Sequence, residues 1–309
     1  MRAVVVGANG FLGSHLVDQL VRAGHEVAAI DRFRQGRHQF EEKPSAIIAT
    51  SLEDTAVIEK AFRGAEAVID LLGASNPLMS VADPDFDRRE TLPRQRLLTS
   101  VAEATGVGHY YFSSTGGAIY GDSPKERNHE EDVPHPLTAY GLAKLEMERH
   151  LDDLRRRGSL ASTVWRFANP YGPRQDPLKK QGLIAVALHH HLRGTPLPVM
   201  GGGVMVRDYL YVDDAISRAA AFLGRHTAHH TYNIGSGVGR SVTEVLAVIS
   251  EVVGEPLETV DVPLPPGFVA RSVVDTTRFD EEFGHREDTP FVEGVRKTWE
   301  YLRHAEEKA

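Results

Sequence analysis

A doubly wound parallel α/β sheet, joined to a smaller and mostly C-terminal α/β lobe, is the fold predicted by this 309-residue chain. Two observations carry the prediction. Short apolar runs alternate with helical patterns up to Arg166, and a glycine-rich segment separates the first run from the first helical pattern. Strands that alternate with helices run parallel, joined by right-handed crossovers. Beyond Arg166 the rhythm breaks and proline and glycine become dense.

The first strand is expected over 3–6 and the first helix over 11–23, stopped by Gly24. A second strand over 27–30 is closed by Asp31. Strands over 46–49 and 67–72 flank a helix over 55–62. A helix over 92–105 precedes a strand over 110–113, and a helix over 139–157 precedes a strand over 162–166. Further on, helices are expected over 182–192, 213–223, 243–253 and 291–304. The stretch 230–234 reads as a strand that returns to the main sheet. The Pro/Gly-rich stretches 169–177, 194–198, 201–203 and 262–267 read as insertions that build the smaller lobe.

Bulk composition narrows the function. Hydrophobic residues make up 41% and charged residues 25%, as in an ordinary globular protein. The net charge of -8 argues against nucleic-acid and anionic-membrane partners. With no cysteine, thiol catalysis, disulfides and cysteine metal sites are excluded. No apolar run of about 18 residues is present, so no membrane span is expected. The N-terminus enters a strand directly, which implies no signal peptide and a cytoplasmic location.

Gly7, Gly10 and Gly13 of GANGFLG follow the first strand and open the first helix. Gly7 permits a tight turn, Gly10 lets the backbone approach a pyrophosphate, and Gly13 allows close helix–strand packing. This is the setting of a Rossmann-type dinucleotide site. Asp31, ending the second strand, can accept hydrogen bonds from the adenosine ribose and would repel a 2′-phosphate, which favours NAD. Arg32 and Arg34 cut the other way, since arginines there could accommodate that phosphate. On this reading, residues 1–166 form the cofactor domain, completed by segments returning near 206–234, and 167–309 mainly form the substrate lobe.

Tyr140 and Lys144 of YGLAK lie one helical turn apart on one face. The ammonium is expected to lower the tyrosine pKa, so that the phenolate can act as base toward an alcohol. Ser113, Ser114 and Thr115 end the preceding strand, where open sheets bind ligands. One of these hydroxyls could bond the substrate oxygen as it loses its proton. The bland alternative is a packing tyrosine and a solvated lysine. Consecutive His189, His190 and His191 fan around a helix rather than converge, so no metal site is expected.

Taken in order, GANGFLG, FSSTGGAIYGD, YGLAK, RFANPYGPRQDP and VRDYLYVDDA resemble the extended short-chain dehydrogenases/reductases of the NAD-dependent epimerase/dehydratase family, most of all the nucleotide-sugar 4-epimerases. The resemblance spans nearly the whole chain. It implies NAD bound by the glycines together with Asn9, Phe11, Leu12, Asp31, Arg32, Leu72, Ser113, Tyr140 and Lys144. It implies catalysis by Tyr140, Lys144 and Thr115 or Ser114. It implies a nucleotide-diphosphate sugar, UDP-linked, bound by Thr115, Gly116, Tyr140, Asn169, Arg207 and Arg271. Asn169 could otherwise initiate a turn with Pro170, and Arg207 could pair with Asp208 or Asp213. A homodimer through helices 92–105 and 140–157 is also implied.

The chain departs from the family pattern in places. The strand over 67–72 ends Asp70-Leu71-Leu72-Gly73 in place of His-Leu-Ala-Ala, and 90–95 reads ETLPRQ in place of Asn-x-x-Gly-Thr. The stretch 265–268 reads PPGF where relatives carry a phosphate-binding arginine, a role Arg271 could take over. Dehydratases of this family place Asp-Glu after the catalytic threonine, whereas Thr115 is followed by Gly116-Gly117. Elimination needs a further acid and base, so the glycines favour 4-epimerisation, with 4-ketoreduction as the alternative. Arg174, Lys179 and Lys180 could meet a C6 carboxylate or could face solvent.

Overall fold

The computed structural model describes residues 1–34, 39–73, 77–179, 181–264 and 269–307. The first half runs β1 (Arg2–Val6), α1 (Phe11–Arg22), β2 (Glu26–Asp31), β3 (Ala46–Ala49), α2 (Thr55–Phe62), β4 (Ala67–Asp70), α3 (Pro77–Ala82), α4 (Leu92–Thr105), β5 (His109–Thr115), α5 (Ala139–Arg156) and β6 (Ser162–Phe167). A π-helical turn, Asp87–Thr91, leads into α4. The second half runs β7 (Asn169–Tyr171), α6 (Leu183–Leu192), β8 (Leu197–Met200), β9 (Val206–Tyr211), α7 (Val212–Ala220), β10 (Thr231–Ile234), β11 (Gly239–Ser241), α8 (Val242–Val253), β12 (Thr259–Val262), β13 (Arg271–Ser272), α9 (Thr277–Phe283) and α10 (Phe291–Glu307).

Seven strands form one parallel sheet in the order β3-β2-β1-β4-β5-β6-β10. The order reverses direction between β1 and β4, and ligands of open α/β sheets lie at that point. Alternation along the strands divides the core. Ala3 and Val5 face the α1, α7 and α8 side, while Val4 and Val6 face the α2, α4 and α5 side. Tyr111 joins the first layer and Tyr110 and Phe112 the second. Period-two burial on both faces explains the uninterrupted apolar runs.

Local chemistry sets the helix ends. The Asp54 side chain caps α2, Thr138 caps α5, and Ser241 with Glu244 forms a capping box on α8. Gly106 closes α4 with a left-handed φ of 69°.

The expected strand over 67–72 stops at Asp70 because the Leu72 amide turns back to Asp70 Oδ1 at 2.9 Å. Residues 231–234 pair with β6, from Thr231 opposite Val164 to Ile234 opposite Phe167. A smaller sheet centres on β9, with β7 and β13 parallel to it and β11 antiparallel. A third, two-stranded sheet joins β8 and β12.

Candidate active site

The glycine loop lies at the β1 end, where the chain turns into α1. Gly7 has a φ of 78°, and a Cβ there would lie 2.9 Å from Leu71 O. A Cβ on Gly10 would lie 3.1 Å from Gly7 O, and one on Gly13 only 2.1 Å from the same atom. The Gly10 amide donates to Gly7 O at 3.0 Å, which closes the turn. Gly10 caps α1 with no side-chain hydrogen bond, so the N-terminal amides of α1 remain available to an anion. This cradle, with glycine at each of these three close-approach positions, fits a dinucleotide pyrophosphate. Asp31 Oδ2 accepts the Asn9 amide at 2.9 Å and Oδ1 the Arg32 amide at 2.7 Å. A carboxylate has about four lone-pair sites, so Asp31 can hold the loop and still accept a ribose hydroxyl. Phe11 and Leu12 pack on the core, whereas Arg32 is exposed.

Across the switch point, Tyr140 and Lys144 project from α5 toward the end of β5. The Thr115 hydroxyl is hydrogen-bonded to the Tyr140 phenol, and the Tyr140 amide donates to Ser80 Oγ at 3.1 Å. Lys144 Nζ donates to Ser113 O at 2.8 Å and lies 4.7 Å from the Phe112 ring centroid. The expected lowering of the Tyr140 pKa by Lys144 is corrected here. Burial pushes the Tyr140 pKa up to about 12, Thr115 opposes this, and Asp87 adds to it. Burial likewise holds Lys144 below its ordinary value, against Asp70, Asp87 and Glu148.

Ser114 and Thr115 differ in their contacts. Ser114 is 4% exposed and its hydroxyl donates to Glu148 Oε1. Arg166 grips the same carboxylate through Nη2 at 2.7 Å and Nε at 3.1 Å, and donates to the Tyr120 hydroxyl at 2.9 Å. Ser114 therefore belongs to a buried hydrogen-bonded network, whereas Thr115 contacts the Tyr140 phenol. Glu148 was missed in the sequence, although its position four residues beyond Lys144 was the available signal.

Gly116 donates its amide to Phe167 O at 2.6 Å and accepts the Ser272 hydroxyl at 3.1 Å. A Cβ there would lie 2.7 Å from Val274 Cγ1 and 3.0 Å from Arg166 O, so an acidic side chain at position 116 would force its neighbours to shift.

Asn169, Arg207 and Arg271 lie on β7, β9 and β13 of the smaller sheet, with Asn169 opposite Tyr209 and Ser272 opposite Arg207. Asn169 Nδ2 donates to Asp208 O at 3.0 Å. The Arg207 guanidinium donates to Val269 O at 2.7 Å and Val206 O at 2.8 Å, and burial lowers its pKa. Asp208 is engaged by Ser236, Gly237 and Val274, and Asp213 by His15. Neither acid pairs with Arg207; burial disfavours its charge, Tyr209 and Asp122 oppose that, and its guanidinium fork suits an anionic ligand. Arg271 Nε donates to Glu126 O at 3.1 Å. The PPGF departure and Lys180 lie outside the described residues.

Arg174 is taken from the sugar-facing set. Its backbone is left-handed, with a φ of 66°, and its guanidinium pairs with Asp18 at 2.7 Å and Glu41 at 3.0 Å.

A glycine cradle facing a Tyr-Lys pair across a doubly wound sheet defines the class: the chain belongs to the NAD dependent epimerase/dehydratase family, whose model matches residues 3–235. Among characterised relatives, it is 31% identical to a UDP-glucose 4-epimerase of Mycolicibacterium smegmatis, over 98% of this chain and 99% of the relative. The UDP-glucose 4-epimerase of Thermotoga maritima, solved with UDP-glucose, superposes with a TM-score of 0.91 at 34% identity, covering 99% of each chain. The Thermus thermophilus UDP-glucose 4-epimerase, solved with NAD, gives a TM-score of 0.91 at 33% identity, over 99% of this chain and 100% of that one.

Proposed function

We propose that the chain is an NAD-dependent 4-epimerase of a nucleoside-diphosphate sugar, of the UDP-glucose/UDP-galactose or UDP-glucuronate type. The observation that carries this reading is the Thr115–Tyr140 hydroxyl pair, followed by a glycine where an acid would force its neighbours to shift. NAD supplies a reversible hydride acceptor at C4. The glycine cradle, Asp31 and Lys144 bind and orient it. As the phenolate, the form that Thr115 favours against burial, Tyr140 takes the C4 hydroxyl proton, and Thr115 steadies the sugar oxygen by hydrogen bonding. Arg207 and Asn169 keep the diphosphate anchored while the 4-keto sugar turns about its bond to that group. Tyr140 then returns the proton with the opposite face presented.

In this reading the seven-stranded sheet carries the cofactor and the β9-centred sheet carries the sugar nucleotide. The chain works as a cytoplasmic homodimer through the outward faces of α4 and α5, where Leu142 is 56% exposed. Among the described residues no helix is long and apolar enough to cross a membrane.

Incubating the purified protein with UDP-glucose or UDP-glucuronate, with no added reductant, tests the activity. The 4-epimer should accumulate to equilibrium. Product formed only when NADPH is supplied would assign a ketoreductase instead.

A further inference from the structure

Asp70 ends β4 and is fully buried. Its two oxygens meet two donors. Oδ1 accepts the Leu72 amide at 2.9 Å, and Oδ2 accepts the Tyr110 hydroxyl at 2.9 Å. Burial holds the Asp70 pKa above its ordinary value, and the Leu72 amide, the Lys144 ammonium and the Tyr110 hydroxyl all oppose that shift by favouring the carboxylate.

The strand register brings this carboxylate to the lysine. Asp70 lies opposite Phe112 on β5. Lys144 Nζ sits over that same Phe112 ring and donates to the next carbonyl, Ser113 O. Tyr110 and Phe112 share the sheet face that α5 covers, so the Asp70–Tyr110 bond and the Lys144 ammonium occupy one layer of the core. The charged groups that face Lys144 are Asp70 from β4, Asp87 from the π-helical turn and Glu148 from α5, with Tyr140 one turn before it. Glu148 is neutralised by Arg166 in a direct ion pair at 2.7 Å. Asp70 is the largest of the influences that oppose the loss of the Lys144 proton.

Resting on the assigned role of Lys144, we propose that Asp70 is a positioning residue for it: the clamped, buried carboxylate keeps the ammonium cationic and seated against β5. The same carboxylate fixes the Leu72 amide beside Leu71, on whose carbonyl Gly7 packs. One buried anion thus orders the cofactor-side backbone and the charge of Lys144 together.

The test is read on the lysine itself. In the full chain loaded with NAD and labelled with 13C- and 15N-lysine, the Lys144 signal is assigned by its loss in Lys144→Met. In Asp70→Asn, which keeps the shape and removes the charge, the Lys144 titration should move to lower pH by about one unit or more, roughly tenfold in acidity. Tyr110→Phe, which deletes one clamp, should move it in the same direction by less. A folded Asp70→Asn with an unmoved Lys144 titration overturns the proposal, whatever its thermal stability. If Asp70→Asn does not fold, an unmoved titration in Tyr110→Phe does so. No turnover is required, so failure to epimerise UDP-glucose would strike the proposed activity and leave this measurement standing.

Discussion

Ser114 and Thr115 are neighbours on β5 with opposite commitments: Thr115 bonds the Tyr140 phenol, and Ser114 bonds Glu148 inside a buried ion pair. Strand alternation separates them, sending successive side chains to opposite faces. One hydroxyl faces the site, and the other holds the wall behind it.

The two hydroxyls therefore respond differently to deletion. Thr115→Val removes a bond that favours the Tyr140 phenolate, so the acid limb of kcat/KM should move to higher pH. Ser114→Ala should leave that limb in place and lower the melting temperature. A pH–rate profile of both variants decides the matter. An equal shift in the two would overturn the assignment of Thr115.

Tyr140→Phe deletes the group that carries the C4 proton in the proposed reaction. Turnover should fall by about 10²–10⁴, the usual worth of a positioned acid–base group. NAD content, measured by absorbance of the purified protein, should be unchanged. Near-normal turnover would exclude the phenol from proton transfer.

Glu148 and Arg166 are 6% and 5% exposed, so removing one charge strands the other. Glu148→Gln should cost about 3–5 kcal/mol in chemical denaturation. A loss under about 1 kcal/mol would indicate that the pair is hydrated in solution.

Gly13→Ala forces a methyl group to within 2.1 Å of Gly7 O unless the loop shifts. Overpacking of this kind costs about 1–3 kcal/mol. The displaced loop should also release NAD, detectable as a loss of bound nucleotide on gel filtration. Retention of full NAD occupancy would show that the loop gives way more easily than its backbone contacts imply.

Stability should carry a histidine signature. Burial lowers the His230 pKa to about 4, with Arg155 contributing. The unfolded chain takes up this proton below about pH 6.5, and the folded chain does not until about pH 4. The stabilising contribution is thus intact above pH 6.5 and is lost as pH falls toward 4. Its ceiling is about 3 kcal/mol at 1.36 kcal/mol per unit. His230→Gln should flatten the fall in urea midpoint between pH 7 and pH 5. An unaltered slope would assign the acid sensitivity to other groups.

Much of this architecture was legible in the residues. Helices over 55–62 and 92–105 and the strand over 46–49 fall at their expected bounds, because caps and periodicity act locally. The short strands β7, β8, β9, β11, β12 and β13 were not foreseen. They take their pairing from distant segments, as Ser272 does from Arg207, and carry little period of their own. The site divides in the same way. The glycines and the Tyr140–Lys144 spacing are local patterns. The capture of Ser114 by Glu148, of Arg174 by Asp18, and the burial that raises Tyr140 depend on tertiary packing.

The seventh strand of the main sheet arrives late. Sixty-three residues, 168–230, separate the end of β6 at Phe167 from the start of β10 at Thr231, and its partner β6 is buried at every position from Ser162 to Phe167. Until Thr231–Ile234 has been synthesised, a nascent chain would present β6 as a bare sheet edge with unpaired backbone groups, a template for pairing with other chains. Fragments that end between β6 and β10 should therefore aggregate, and a boundary for soluble truncation lies beyond Ile234, not at the end of the sixth strand.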